Sequence, residues 1–163
     1  MNSKNIFFLL LLVSVQAFSQ LPENLIWSTN GHAYYALRNN EVVLEEAGQI
    51  GAIKNVIGSN LIPSGAVGPI DIKSFTLSAT QQWALIQTNA KRVWRYETIG
   101  DYYLFNIKSK SLQKIGKGMP ASSLQFAKIS PDEKWVAYVS GHNIFAEEIK
   151  TGKSIQLTKD GSK

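Results

Sequence analysis

The chain has 163 residues, of which 44% are hydrophobic and 18% are charged, a balance typical of a globular domain. Its formal net charge is +5, but the lysines and arginines are scattered and form no basic stripe, so nucleic acid is not an expected partner. The sequence contains no cysteine, which excludes disulfides, thiol nucleophiles and cysteine metal ligands.

The first predicted element is a signal peptide over residues 1–19. Lys4 supplies a positive charge, residues 6–15 form an apolar core, and Ala17 and Ser19 place small side chains where a signal peptidase reads them. This core is too short for a membrane anchor, because a bilayer span needs about 20 apolar residues. We expect cleavage before Gln20 and export to the periplasm or the extracellular space, with no membrane span after cleavage.

A polar turn that leads into an apolar strand occurs three times along the chain. The three segments begin with serines that lie 50 and 52 residues apart: Ser28–Leu37, Ser78–Gln87 and Ser130–Val139. In the third segment Pro131 fixes the backbone of the turn, and Asp132 can bond its own backbone. The strand from Trp135 to Val139 is apolar on both faces, which predicts burial on both faces within a stack of sheets.

Each repeat unit is predicted to contain four short strands. In the third unit these are Leu124–Ile129, Lys134–Ser140, Asn143–Ile149 and Ser154–Leu157, and the second unit carries an insertion near Asn89–Gly100. Four antiparallel strands in roughly 40 to 50 residues is the pattern of a β-propeller blade. The prediction is an all-β fold, a partial β-propeller of about three four-stranded antiparallel blades, with a β-sandwich as the alternative.

Three blades do not close a ring, since propellers have about 4–8 blades. An open stack would also leave blade faces and strand edges uncovered. We therefore expect residues 20–163 to be the amino-terminal part of a larger propeller domain.

Several short motifs between residues 91 and 163 point to one family. They are Trp94-Arg95, Asp101-Tyr102-Tyr103, Phe126-Ala127-Lys128 leading into Ser130-Pro131-Asp132, Asn143-Ile144-Phe145 and Leu157-Thr158. In these residues the chain resembles the start of the propeller domain of the dipeptidyl peptidase IV family, in the prolyl oligopeptidase class of serine peptidases. The resemblance implies an eight-bladed propeller that caps an α/β-hydrolase domain, release of Xaa-Pro or Xaa-Ala dipeptides from peptide substrates, and a full-length protein able to form a homodimer.

Arg95 is the residue for which this resemblance implies substrate binding. In the family, the arginine after the tryptophan reaches from the propeller towards the active site and helps to hold the substrate backbone. A guanidinium group suits that role because it presents several fixed donors to carbonyl oxygens. From the residues alone, the alternative is a strand-end arginine that pairs with a surface carboxylate such as Glu97.

Other parts of the family's machinery do not occur in this sequence. The motif G-x-S-x-G, which would hold the catalytic serine, is found nowhere in the chain, and the α/β-hydrolase domain is absent. The helical segment whose two glutamates bind the substrate amino terminus would begin shortly after residue 163. Glu147-Glu148 is no substitute, because it lies on a predicted blade strand. The chain alone is expected to be inactive and to have no catalytic residue.

No cofactor and no metal site are expected. His32 and His142 are the only histidines, and both lie in predicted turns away from any cluster of carboxylates. The four tryptophans are expected mostly in the blade cores: Trp27, Trp83, Trp94 and Trp135.

Three functions are open at this point. The first is the amino-terminal propeller fragment of an exported serine dipeptidyl peptidase. The second is a non-enzymatic periplasmic propeller of the TolB-like type, used for binding or as a scaffold. The third is a related propeller peptidase with acylaminoacyl or oligopeptidase specificity. Downstream sequence would separate them, because a Glu-Glu helix followed by G-x-S-x-G favours the first, further blades and then a stop favour the second, and G-x-S-x-G without the Glu-Glu pair favours the third.

Overall fold

A computed structural model describes residues 25–49, 53–93 and 95–162, and for residues 96–98 it describes the backbone alone. The predicted signal peptide and Trp94 lie outside the described residues. The described part contains twelve β-strands and no helix, in agreement with the predicted all-β class. In chain order the strands are β1 (Ile26–Trp27), β2 (Ala33–Arg38), β3 (Glu41–Glu46), β4 (Ile53–Ile57), β5 (Ser74–Leu77), β6 (Trp83–Val93), β7 (Tyr96–Asn106), β8 (Leu112–Ile115), β9 (Leu124–Ile129), β10 (Trp135–Ser140), β11 (Asn143–Glu148) and β12 (Ser154–Gln156).

The described strands form three consecutive antiparallel units of four. We call them blade 1 (β1–β4), blade 2 (β5–β8) and blade 3 (β9–β12). Within each blade every strand pairs with the next one in sequence, as in a propeller blade. The four strands predicted for the third unit match β9–β12 to within one residue at each end. The predicted partial propeller is therefore confirmed.

The three turns that open the blades have one hydrogen-bond geometry. In each, the serine N–H donates to the carbonyl oxygen five residues later at 2.8–2.9 Å, and the N–H of that later residue donates to the serine Oγ at 3.0–3.1 Å. The pairs are Ser28–Ala33, Ser78–Trp83 and Ser130–Trp135. The fourth residue of every turn has a left-handed backbone, with φ between 57° and 72°: Gly31, Gln81 and Glu133. These two hydrogen bonds of the serine explain why the first two turns have the same geometry as the third, although they lack its Pro-Asp pair.

In the second and third turns, the side chain of the fourth residue ties the blade opening to the one before it. Gln81 donates from Nε2 to the carbonyl oxygen of Trp27 at 2.8 Å, and its Oε1 accepts from the N–H of Thr29 at 3.2 Å. Glu133 in turn accepts from the N–H of Thr80 at 2.6 Å and from the Thr80 hydroxyl at 2.9 Å. The three turns thus form a continuous ladder across the blades.

Replacing Glu133 with alanine is expected to lower the free energy of unfolding by about 1 kcal/mol, because two hydrogen bonds to Thr80 are lost at an exposed site. Glu133→Gln is the matched control, since Gln81 shows that an amide serves at the equivalent position, and a smaller loss is expected. Denaturant unfolding midpoints of both variants check this. An alanine variant as stable as the unaltered protein would show that the ladder does not stabilise the fold.

Two hydrophobic clusters lie between the blades. The first packs blade 1 against blade 2 through residues such as Val42, Ile57 and Ile86. The second packs blade 2 against blade 3 through residues such as Leu104 and Tyr138. Blade 2 is therefore covered on both faces, which is how stacked blades exclude water from short strands.

Two expectations about burial are wrong. On β10, Val136 and Tyr138 are buried against blade 2, but Trp135 and Val139 are only half-buried and Ala137 is exposed. The reason is that no sheet of the described part covers that second face of blade 3. Trp27 is 52% exposed, because β1 is an edge strand of blade 1, and its ring makes an edge contact with Tyr34 at a centroid distance of 5.8 Å.

Candidate functional site

The candidate site is a hairpin that extends from blade 2. β6 and β7 have 11 residues each, and their inner halves pair in continuous register from Trp83 with Asn106 to Thr88 with Asp101. Beyond this point the two strands continue as an extension, which we call the Arg95 hairpin (residues 89–100). This extension is the insertion that the sequence predicts near Asn89–Gly100.

Arg95 lies in the turn at the tip of this hairpin, and its side chain is exposed. Lys91 and Arg92 on β6 are also exposed, so the described side chains of the hairpin present a cationic end. The side chain of Glu97 lies outside the described part, so the alternative pairing of Arg95 with Glu97 stays a prediction. An exposed guanidinium on a protruding hairpin can donate to carbonyl or carboxylate oxygens of a bound peptide.

Asp101 lies at the root of the hairpin and is only 4% exposed. Its carboxylate accepts from the side-chain amide of Asn89 at 2.8 Å and from the N–H of Ser122 at 3.1 Å, and the ammonium group of Lys114 lies 3.4 Å from it. Burial by itself would raise the pKa of Asp101. The hydrogen bonds from Asn89 and Ser122 and the charge of Lys114 outweigh that effect and keep the pKa below its usual range.

The backbone around Asp101 fixes the point where the hairpin leaves the blade. Asn89 has a left-handed backbone with φ 49°, and the strand register shifts between Thr88 and Lys91. Gly100 is needed at this point, because a Cβ there would lie 2.8 Å from the carbonyl oxygen of Thr88. On its other edge, β7 pairs with β9 of blade 3 through Ile99 and Gly100, so blades 2 and 3 form one continuous sheet.

Asp101→Asn is expected to lower stability at neutral pH and to lose this effect in acid. An unfolded aspartate has a pKa of about 3.9, and the pKa in the folded protein is lower. Ionised Asp101 therefore stabilises the fold above the unfolded pKa, and this contribution disappears as the pH falls through the folded pKa. Unfolding midpoints of both proteins, followed from neutral pH downwards until their difference stops changing, check this. A stability difference that stays constant with pH would contradict it.

The other residues considered from the sequence lie where predicted. Glu147 and Glu148 are on β11, and buried Glu147 accepts from the N–H of Gly116 at 2.8 Å, which ties blade 3 to blade 2. His32 and His142 lie in turns or bends. In the part of the chain that the structure describes, no group of three or more His, Cys, Asp or Glu residues could hold a metal ion, and no helix is long and apolar enough to cross a membrane.

Three stacked four-stranded blades with a protruding cationic hairpin define a section of a β-propeller. Comparison with known families makes this specific, because the family model for the dipeptidyl peptidase IV N-terminal region matches residues 78–163. The match covers more than half of the chain, and the chain belongs to this family. It includes the Arg95 hairpin, Asp101 and all of blade 3.

Similar curated proteins and a similar solved structure support this family assignment. A probable dipeptidyl-aminopeptidase B of Podospora anserina is 34% identical over 77 residues, which are 47% of this chain and 8% of that protein. The dipeptidyl aminopeptidase B of Saccharomyces cerevisiae is 32% identical over 94 residues, which are 57% of this chain and 11% of that protein. The crystal structure of Porphyromonas gingivalis dipeptidyl peptidase 4 has the same fold, with a TM-score of 0.67 at 17% identity over 85% of this chain and 19% of that chain. The chain thus spans a small part of the length of the proteins it matches.

Proposed function

We propose that this chain supplies the amino-terminal propeller blades of an exported serine dipeptidyl peptidase, and that Arg95 contacts the peptide substrate. The family match over residues 78–163 carries this proposal, because it includes the hairpin that exposes Arg95. The relatives are named dipeptidyl aminopeptidases, and this is the activity that we propose for the complete protein. The pattern of residues 1–19 supports export.

In this proposal the blades bind and restrict the substrate, and the chemistry takes place elsewhere in the polypeptide. Hydrolysis in this class needs a serine nucleophile, a histidine base and an orienting aspartate. The 163-residue sequence has no G-x-S-x-G motif to hold the serine. Arg95 would hold backbone oxygens of the peptide while a hydrolase domain cleaves it, so these 163 residues alone bind without cleaving.

The test starts from the native protein, captured from its source cells with an antibody raised against residues 53–162. Its mass, its amino-terminal sequence and its hydrolysis of Gly-Pro-p-nitroanilide are measured. A mass several times 18.1 kDa with reporter hydrolysis supports the peptidase, and a mature end at Gln20 supports the leader and export.

Each rival function gives a different result. A mass near 18.1 kDa with no hydrolysis overturns the peptidase in favour of a non-enzymatic binding module. A large protein that cleaves acylated or longer peptides but leaves Gly-Pro-p-nitroanilide intact identifies the acylaminoacyl or oligopeptidase specificity instead.

A further inference from the structure

We propose that Asp101 is a positioning residue that fixes the Arg95 hairpin in the orientation needed for substrate contact. This inference rests on the proposed function, since it concerns how the same site is held. Asp101 lies six residues from Arg95 in sequence, at the opposite end of the extension, and acts on the substrate only through the hairpin.

The contacts of Asp101 join four separate parts of the chain. Asn89 belongs to β6, Asp101 to β7, Lys114 to β8, and Ser122 to the segment between blades 2 and 3. One buried carboxylate therefore ties both strands of the hairpin root to the outer strand of blade 2 and to the entry of blade 3. A charge-assisted hydrogen bond in a buried site is stronger and more directional than a neutral one, which suits a fixed pivot.

The orientation of the Arg95 hairpin depends on Asp101, because the hairpin itself makes few contacts with the blades. Lys91 to Val93 and Arg95 are exposed, so these side chains gain little from packing. The pairing of Ile99 and Gly100 with β9 holds one strand only. On the β6 side, the register with β7 shifts at Asn89 and pairing resumes at Lys91 with Ile99, and the bond from Asn89 to Asp101 is a side-chain contact across this irregular point.

Asp101→Asn tests the pivot with little change in shape. Asparagine offers one acceptor oxygen and two N–H donors, whereas Asn89 and Ser122 both present donors to this position. In the variant the oxygen still accepts from the N–H of Ser122, and the new NH2 group bonds Asn89 only when the Asn89 amide flips to present its oxygen; the charge that faces Lys114 is lost in either case. In the complete protein we expect kcat/KM for Gly-Pro-p-nitroanilide to fall about 10-fold to 100-fold, mostly through KM, because a displacement of about 1 Å at a site can cost that much.

Glu147→Gln is the matched control. Glu147 is also a buried carboxylate that accepts a backbone N–H, but it lies on β11, and it accepts hydrogen bonds from Gly116 and Gln113 instead of from residues of the hairpin. Hydrogen–deuterium exchange of the peptide over residues 90–99 gives a readout that needs no activity. We expect faster exchange there in Asp101→Asn and exchange close to that of the unaltered protein in Glu147→Gln, at comparable losses of melting temperature.

A double variant, Asn89→Asp with Asp101→Asn, exchanges the two partners. The asparagine introduced on β7 would then donate to the aspartate introduced on β6 and still accept from the N–H of Ser122. We therefore expect both the slow hairpin exchange and the low KM to return. A substitution that only made the fold more stable would not restore these two properties through this particular pair of residues.

The outcomes separate this inference from the proposed function. Equal changes of KM and exchange in the two single variants, or unchanged hairpin exchange in Asp101→Asn, would overturn the positioning role. If the unaltered complete protein cleaves no dipeptide reporter, the proposed function fails and the substrate role of Asp101 fails with it. The exchange measurement still decides in that case whether Asp101 orders the hairpin.

Discussion

Replacing Arg95 with alanine in the complete protein is expected to raise KM and to lower kcat/KM for Gly-Pro-p-nitroanilide by about tenfold to a hundredfold. The estimate follows from a hydrogen bond to a charged group, which contributes about 1.5–3 kcal/mol. The exposed position of Arg95 means that the fold should stay intact, because truncation removes no buried surface. Steady-state kinetics and the melting temperature of the same preparation check both parts.

Two control variants show whether the effect belongs to the guanidinium of Arg95. Arg92 is also exposed on the same hairpin, so Arg92→Ala removes an equal charge without the proposed contact and is expected to leave KM within about twofold. Arg95→Lys keeps the charge but not the planar fork of donors, and an intermediate KM is expected. An unchanged kcat/KM in Arg95→Ala would remove this residue from the substrate site.

The blades could be predicted from the sequence because their signals are local. A serine, a polar turn and an apolar run recur at nearly constant spacing, and each turn closes on itself between Ser28 and Ala33 or its equivalents. The strands that follow are short apolar runs bounded by turn residues, which is itself a local signal. The insertion near Asn89–Gly100 could be predicted from the same repeat, because it makes the second unit longer than the third.

The root of the hairpin could not be predicted in the same way. Asp101 meets Asn89 across the sheet and Ser122 from the segment between blades 2 and 3, and neither spacing is a recognisable motif. Phe126 shows a similar limit. It lies in β9 with φ 54° and is 61% exposed, although the sequence predicts an ordinary strand over Leu124–Ile129. The pairing of β9 with β10 becomes irregular between Ala137 and Val139, so tertiary pairing overrides local preference there.

The stack of blades also makes a prediction about stability, because blades 2 and 3 share one cluster. Tyr138 on β10 is 1% exposed, its ring stacks on Phe145 at a centroid distance of 5.7 Å, and its hydroxyl lies 3.1 Å from the Ser154 Oγ. Tyr138→Ala is expected to lower the free energy of unfolding by about 3–5 kcal/mol, the usual cost of deleting a buried aromatic ring. Guanidinium unfolding curves at constant pH measure the change.

Tyr138→Phe separates the ring from the hydroxyl in this prediction. Phenylalanine keeps the stack on Phe145 and loses the contacts of the hydroxyl with Ser154 and Glu147, so a loss of about 1 kcal/mol is expected. A loss in Tyr138→Ala no larger than in Tyr138→Phe would mean that blade 3 does not depend on this cluster. The predicted difference between the two variants therefore measures how much the ring of Tyr138, which stacks on Phe145 within blade 3 and packs in the cluster between blades 2 and 3, stabilises the fold apart from its hydroxyl.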